Sequence, residues 1–206
     1  MLRLRALLPG LLLSLFAASC ATGTTEIDLR RPKFPRADAA ATTPVTLLEV
    51  RDARADTALV GVKRNTHGEA VGDAVLLNAA PLAELVEADL IQAFASSGFS
   101  LRPAAPDFTG DGAPALTVEV RRLWSEFQPG GWQRKAGAEI ELLLSIRRPA
   151  GSVQSHSFEG TASASSGAGS STLLDVALNG AYADVLKAIA ADLDGGRLGD
   201  ALNEAR

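Results

Sequence analysis

Ala138-Glu139-Ile140-Glu141-Leu142-Leu143-Leu144-Ser145-Ile146 is the stretch on which the fold turns. Ile140, Leu142, Leu144 and Ile146 fall on one side of a period-2 pattern, and Glu139, Glu141 and Ser145 on the other. Successive side chains of a strand point to opposite faces, so this is a strand with one buried face. Leu116-Thr117-Val118-Glu119-Val120-Arg121 repeats the pattern upstream. After an Arg148 to Gly151 turn, Val153 to Ala164 continues it as a polar strand with Phe158 inside, at or near a sheet edge.

Outward from this block the periodicity changes to that of helices. Leu82, Leu85, Val86, Leu90, Ala93 and Phe94 recur at helical spacing, with Pro81 in the first turn, Asn78 as a candidate cap and Gly98 as the stop. Leu174, Leu178, Ala181, Tyr182, Val185, Ile189 and Leu193 form a second stripe that ends at Gly195 and Gly196, and Leu198 and Leu202 allow a short further turn. Towards the N-terminus lie a short strand, Val45 to Val50, a second extended stretch at Leu59 to Lys63, an Asn65 to Gly68 turn and a returning arm, Val71 to Leu77. Another extended piece, Phe99 to Arg102, follows the first helix. Amphipathic helices can bury their stripes only against the apolar face of such strands. The expected fold is therefore α+β, a mostly antiparallel sheet with two long amphipathic helices packed on one face.

The N-terminus carries a different signal. Arg3 and Arg5 precede an apolar run from Ala6 to Phe16, and the small residues Ala17, Ala18 and Ser19 lead into Cys20. The run is about 11 residues, whereas a helix needs about 20 to cross the hydrocarbon core, so it reads as a secretory signal. Small residues before a cysteine resemble the lipobox of bacterial lipoproteins, with Ala17 where leucine is more usual. The resemblance implies cleavage before Cys20 and lipidation of that residue, and two or more acyl chains anchor a protein stably. Ala21 stands where an Asp retains many such proteins in the inner membrane, which favours the outer membrane, facing the periplasm.

Residues 1–19 are thus expected as signal peptide, 20–44 as lipid anchor and flexible tether, and 45–206 as a single periplasmic domain. The tether expectation rests on Thr, Ala, Arg and Pro composition from Ala21 to Pro44, without sustained apolar periodicity. About 24 extended residues would reach roughly 80 Å. Removing Arg3 and Arg5 leaves 18 basic residues against 24 acidic ones, a net charge of -6. That balance lacks the electrostatic footprint of nucleic-acid binding. Cys20 is the only cysteine, so once it is lipidated no thiol remains for a disulfide, a metal site or nucleophilic catalysis.

Asp52-Ala53-Arg54-Ala55-Asp56-Thr57-Ala58-Leu59, followed by Val62, Lys63, Arg64 and Asn65, resembles the D-x-R-x-D-x-A-L stretch of YajG-like lipoproteins. The order of parts agrees over about Val45 to Leu193: a short strand, this charged segment, a helix ending in Ser97-Gly98-Phe99, three strands and a C-terminal helix. The loops at 103 to 114 and around Gln128 to Lys135 depart from the pattern. The resemblance implies an envelope lipoprotein domain and carries no catalytic residues.

Asp52, Arg54 and Asp56 have i, i+2 spacing and can project together to hold a polar ligand or partner. The alternative, a local salt-bridged turn, is favoured. Trp124, Phe127 and Trp132 surround Pro129-Gly130-Gly131 and form either a contact patch or the end of the core. Asp107-Phe108-Thr109-Gly110-Asp111-Gly112 has the alternating oxygens of a calcium loop, yet Val118 stands where the bidentate Glu belongs. Gly167-Ala168-Gly169-Ser170-Ser171-Thr172 lies where a phosphate loop would, but Thr172 replaces the third glycine, so a helix-capping loop is favoured. His67 and His156 are far apart and have no zinc-site spacing, and no GxSxG frames a serine. No metal or cofactor is implied. The expected role is a non-enzymatic binding or assembly lipoprotein contacting an envelope protein, peptidoglycan or lipid. An auxiliary lipoprotein of a transporter is the alternative, and a cell-wall hydrolase using Asp52, Asp56, Asp107 and Asp111 is the third.

Overall fold

The structure, a computed structural model, describes residues 23–34, 43–77, 81–106, 108, 112–130, 133–149, 151–166 and 170–204. Cys20, Asn78, Asp107, Asp111, Trp132 and Gly167 to Gly169 lie outside the described residues. The strands are β1 (Thr25–Ile27), β2 (Thr43–Asp52), β3 (Gly61–Arg64), β4 (Ala70–Leu76), β5 (Phe99–Pro103), β6 (Ala115–Pro129), β7 (Arg134–Arg147) and β8 (Val153–Ser166). The helices are α1 (Leu82–Ser96), α2 (Ser170–Leu193) and α3 (Arg197–Asn203).

All eight strands form one sheet in which β6 is the hub. One edge of β6 pairs antiparallel with β7, and β7 pairs antiparallel with β8. The other edge is shared end to end by two parallel strands, with β2 alongside Ala115 to Val120 and β3 alongside Ser125 to Phe127. β5 adds parallel to β2, β4 folds back antiparallel on β3, and β1 adds parallel to β4.

The expected mostly antiparallel sheet with two long helices does not hold. Four of the seven strand pairings are parallel, the sheet is mixed, and three helices of 15, 24 and 7 residues accompany it among the described residues. Period-2 alternation is the same in either pairing sense, so it names the buried face of a strand and not its neighbour. β6 also runs through Trp124 and Phe127 to Pro129, which shortens the supposed aromatic loop to residues 130–133.

The core lies between the sheet and the helices. Leu116, Val118, Leu142, Leu144 and Ile146 from the strands meet Leu90 and Phe94 of α1 and Leu174, Leu178, Val185 and Ile189 of α2, all essentially without solvent exposure. Each such side chain contributes roughly 1.5–3 kcal/mol on burial, so strands and helices stabilise one another. α2 crosses β8 closely at Gly160, where a Cβ would stand 2.2 Å from the Ala181 carbonyl oxygen. α1 stops where Gly98 takes φ 82°, a backbone conformation glycine adopts without a Cβ clash.

The segment expected as tether is folded from Gly23 to Phe34. Gly23 N–H donates to the Val71 carbonyl at 3.3 Å, and Ile27 of β1 is fully buried. Leu29 and Phe34 pack against the core. Arg30 N–H donates to Asn179 Oδ1 at 2.6 Å, Asn179 Nδ2 donates to the Asp28 carbonyl at 3.0 Å, and the Arg30 guanidinium pairs with Asp175 at 3.0 Å. A single isoleucine in a polar stretch has no periodicity, so its burial was invisible along the sequence.

Candidate functional site

Val118, Val120, Leu123, Ser125 and Phe127 of β6 are buried, while Arg121 and Arg122 are both exposed. Two exposed residues in succession break the alternation. The pairing with β7 shifts register between Val120 and Arg122, a bulge that leaves Arg121 as the extra residue and returns Leu123 to the core. The bulge lies where β2 has ended and β3 has not begun, so this part of the β6 edge faces the connection at 53–60.

That connection is held by Arg54, whose side chain is 5% exposed. Its Nε and Nη2 donate to the two oxygens of Asp52 at 2.8 and 2.7 Å, a bidentate pair. Nη1 donates to the Leu59 carbonyl at 2.7 Å and Nη2 also donates to the Thr57 carbonyl at 3.1 Å. Asp56 Oδ1 accepts from the N–H groups of Ala58 and Leu59 at 2.9 and 3.2 Å. The D-x-R-x-D stretch is therefore a stapled turn in which Arg54 spends its donors inside the loop.

Arg54, Ala55 and Asp56 nevertheless form one wall of a cleft of about 290 Å³, and Arg121, Arg122 and Trp124 form the other. Three of the expected contact residues, Arg54, Asp56 and Trp124, thus meet in one place. Phe127 points the other way, into the core.

On the far side of Trp124 a second, larger cleft of about 740 Å³ lies on the outer face of β6, β7 and β8. Its rungs follow from register. Trp124, Glu139 and Thr161 lie side by side, as do Glu126, Gly137 and Ser163. A Cβ on Gly137 would touch nothing within 4 Å, so the missing side chain leaves a dip beside the half-buried indole. Charges ring it: Arg122 pairs with Glu139 at 2.8 Å and Arg64 with Glu126 at 3.2 Å, and Lys135 is exposed at one end. Sequence reasoning picked Trp124 and missed Arg122, Glu126, Lys135 and Glu139. Their outward alternation is legible, but placing them on one patch requires the β6–β7 register across residues 130–133.

Behind the sheet, α1 carries a carboxylate in its buried stripe. Asp89 accepts from the Tyr182 hydroxyl at 2.8 Å and from Arg31 Nε. Burial first, and the Asp89 carboxylate second, hold the Tyr182 hydroxyl far above its ordinary pKa, so it stays protonated and donating. Lys63 is buried too; burial lowers its pKa while Asp73 opposes the shift. Among the described residues no group of three or more His, Cys, Asp or Glu side chains is placed to hold a metal ion. No described helix is long and apolar enough to cross a membrane.

No curated protein matches this chain. Among solved structures, a protein of family DUF330 from Xanthomonas campestris is 19% identical, with 87% of this chain and 99% of that one covered at a TM-score of 0.49. A Helicobacter pylori protein described as a neuraminyllactose-binding hemagglutinin homolog is 10% identical, with 87% and 98% covered at a TM-score of 0.50, a likeness of fold alone. The family model described as uncharacterised lipoprotein matches residues 32–194, most of the folded chain, and the chain accordingly belongs to that YajG-like lipoprotein family.

Proposed function

We propose that this lipoprotein is a non-enzymatic binding or assembly module of the cell envelope, anchored in the outer membrane through Cys20, with the clefts on either side of Trp124 as its contact surface. The observation that carries this reading is the half-buried indole between two clefts, backed by a stapled loop on one side and an open dip at Gly137 on the other. An aromatic held on a rigid strand loses little freedom on binding and is a common anchor of interfaces.

In the larger cleft Arg122, Glu126, Gln128, Lys135 and Glu139 surround Trp124 and the small residues Ala136, Gly137 and Ala138, a mixed polar and apolar surface that suits a protein or peptidoglycan better than an acyl chain. The transporter-auxiliary alternative calls for an apolar groove. A hydrolase needs a free carboxylate beside a proton acceptor or nucleophile. Asp52 and Asp56 are instead engaged by Arg54 and by the turn N–H groups.

The test is in-cell photo-crosslinking from Arg122 and Trp124, with Ser145 on the same outer face as a reference position. A discrete adduct from the first two positions and none from Ser145 is expected. A blank from both cleft positions overturns the reading.

A further inference from the structure

The anchor and the domain are joined by far less chain than the composition of residues 20–44 suggests. Gly23 is already bonded to Val71, and its carbonyl lies 2.4 Å from where a Cβ of Gly72 would stand. β1 then continues in parallel register with β4, Thr25 beside Ala74 and Ile27 beside Leu76. Two residues, Ala21 and Thr22, separate Cys20 from Gly23, and the three steps between them reach about 10 Å when fully extended.

Gly23 marks one end of the sheet. β4 leaves the Asn65 to Gly68 turn there, and β3 enters it. β6 runs parallel to β3, with Lys63 beside Phe127, so β6 ends and β7 begins on the same side. The opposite end holds the Arg148 to Gly151 turn, on the far side of β7. At about 3.3 Å per residue, the 14 residues of β7 put the two ends about 45 Å apart.

We infer that the lipid anchor holds this domain directly against the bilayer, with the Asn65 to Gly68 turn and the β6–β7 end facing the headgroups and the Arg148 to Gly151 end standing away from the membrane. The inference rests on the lipidation of Cys20 in the proposed function and adds an orientation to it. The facing end suits headgroups: Arg64, His67, Glu69 and Lys135 are there, whereas Val153, the most exposed large apolar side chain among the described residues, stands beside Arg147 at the opposite end. Gln128 and Lys135 line the larger cleft at its membrane-facing end, so a partner reaching Trp124 meets the protein close to the membrane surface.

The experiment uses the full lipidated chain in phosphatidylethanolamine/phosphatidylglycerol vesicles that contain a headgroup spin-labelled lipid. Single cysteines His67→Cys and Ser152→Cys carry a fluorophore, since the thiol of Cys20 is taken by lipid. Flotation with the vesicles comes first, and failure to float with no acyl chain on Cys20 sinks the anchored-lipoprotein reading itself. For floating protein, at least a threefold stronger quenching at position 67 than at 152 is expected. Equal quenching at both overturns the inference because the domain then lies flat, and quenching at neither overturns it because the domain is then held away. A chain with ten Gly/Ser residues inserted between Ala21 and Thr22 provides the control. It should still float yet lose most of the quenching at 67, and retention of that quenching would show that the short leash does not set the orientation.

Discussion

Replacing Arg54 by alanine should lower the stability of the domain by about 3 kcal/mol, an amount comparable to the loss of a buried ion pair's partner. The side chain makes four hydrogen bonds within the 52–59 segment, two to the Asp52 carboxylate and one each to the Leu59 and Thr57 carbonyls, at 2.7 to 3.1 Å. Removing one member of a buried, hydrogen-bonded charge pair costs roughly 3–5 kcal/mol, because the other member is left without its partner. Asp52 is 20% exposed and water can reach it in the variant, which places the cost at the lower end of that range. Lysine at the same position keeps the charge but cannot fork the carboxylate and reach both carbonyls, so Arg54→Lys should cost about 1–2 kcal/mol. Equilibrium urea unfolding at pH 7, on the chain from position 20 carrying Cys20→Ser, reads both as shifts in midpoint at constant slope. A loss below about 0.5 kcal/mol for Arg54→Ala, the range of ordinary surface substitutions, would refute the reasoning, as would a larger loss for lysine than for alanine.

Tyr182→Phe leaves the buried Asp89 carboxylate with Arg31 but without its hydroxyl donor, and about 1–2 kcal/mol of stability should be lost in the same titration; an unchanged midpoint would mean that Asp89 finds a replacement donor. Gly160→Val sets side-chain atoms against the Ala181 carbonyl, so α2 must lift from β8 at a cost of about 3 kcal/mol, visible as a lower melting temperature, and wild-type stability would contradict the close crossing. His156 is buried, and burial, the largest cause, holds its pKa below the ordinary 6.5 against the opposing charge of Asp192 and with the help of Arg197. The unfolded chain therefore takes up its proton first, so His156's contribution is complete above pH 6.5 and is lost as pH falls through the lower folded value. The urea midpoint should fall more between pH 7.5 and 5.5 in the wild type than in His156→Gln, and an equal fall in both would remove His156 as a cause.

Much of the local structure is written in the order of residues. The apolar alternation in β6 and β7, the helical stripes ending at Gly98 and Leu193, the Asn65 to Gly68 turn and the favoured reading of Asp52, Arg54 and Asp56 as a stapled turn all depend on neighbours a few positions apart. Family membership was legible for the same reason, since its motifs are short and contiguous.

What could not be read involves partners distant along the chain. Whether β2 and β3 run with or against β6 depends on a sheet edge 60 or more residues away, to which a period-2 pattern is blind. Asp89 looks like a misplaced charge in an apolar stripe until Tyr182 and Arg31, 93 and 58 residues distant, satisfy it. The cleft beside Trp124 exists because register sets Gly137 next to Glu126 and an end-to-end junction brings the Arg54 loop to the same strand. Even the anchor expected at Cys20 changes meaning in this way. The sequence predicts a lipid there, but only the docking of Gly23 to Ile27 along β4 shortens the expected long tether to a leash of about 10 Å, because burying Ile27 in a core assembled from distant elements outweighs the freedom of a polar, proline-containing segment.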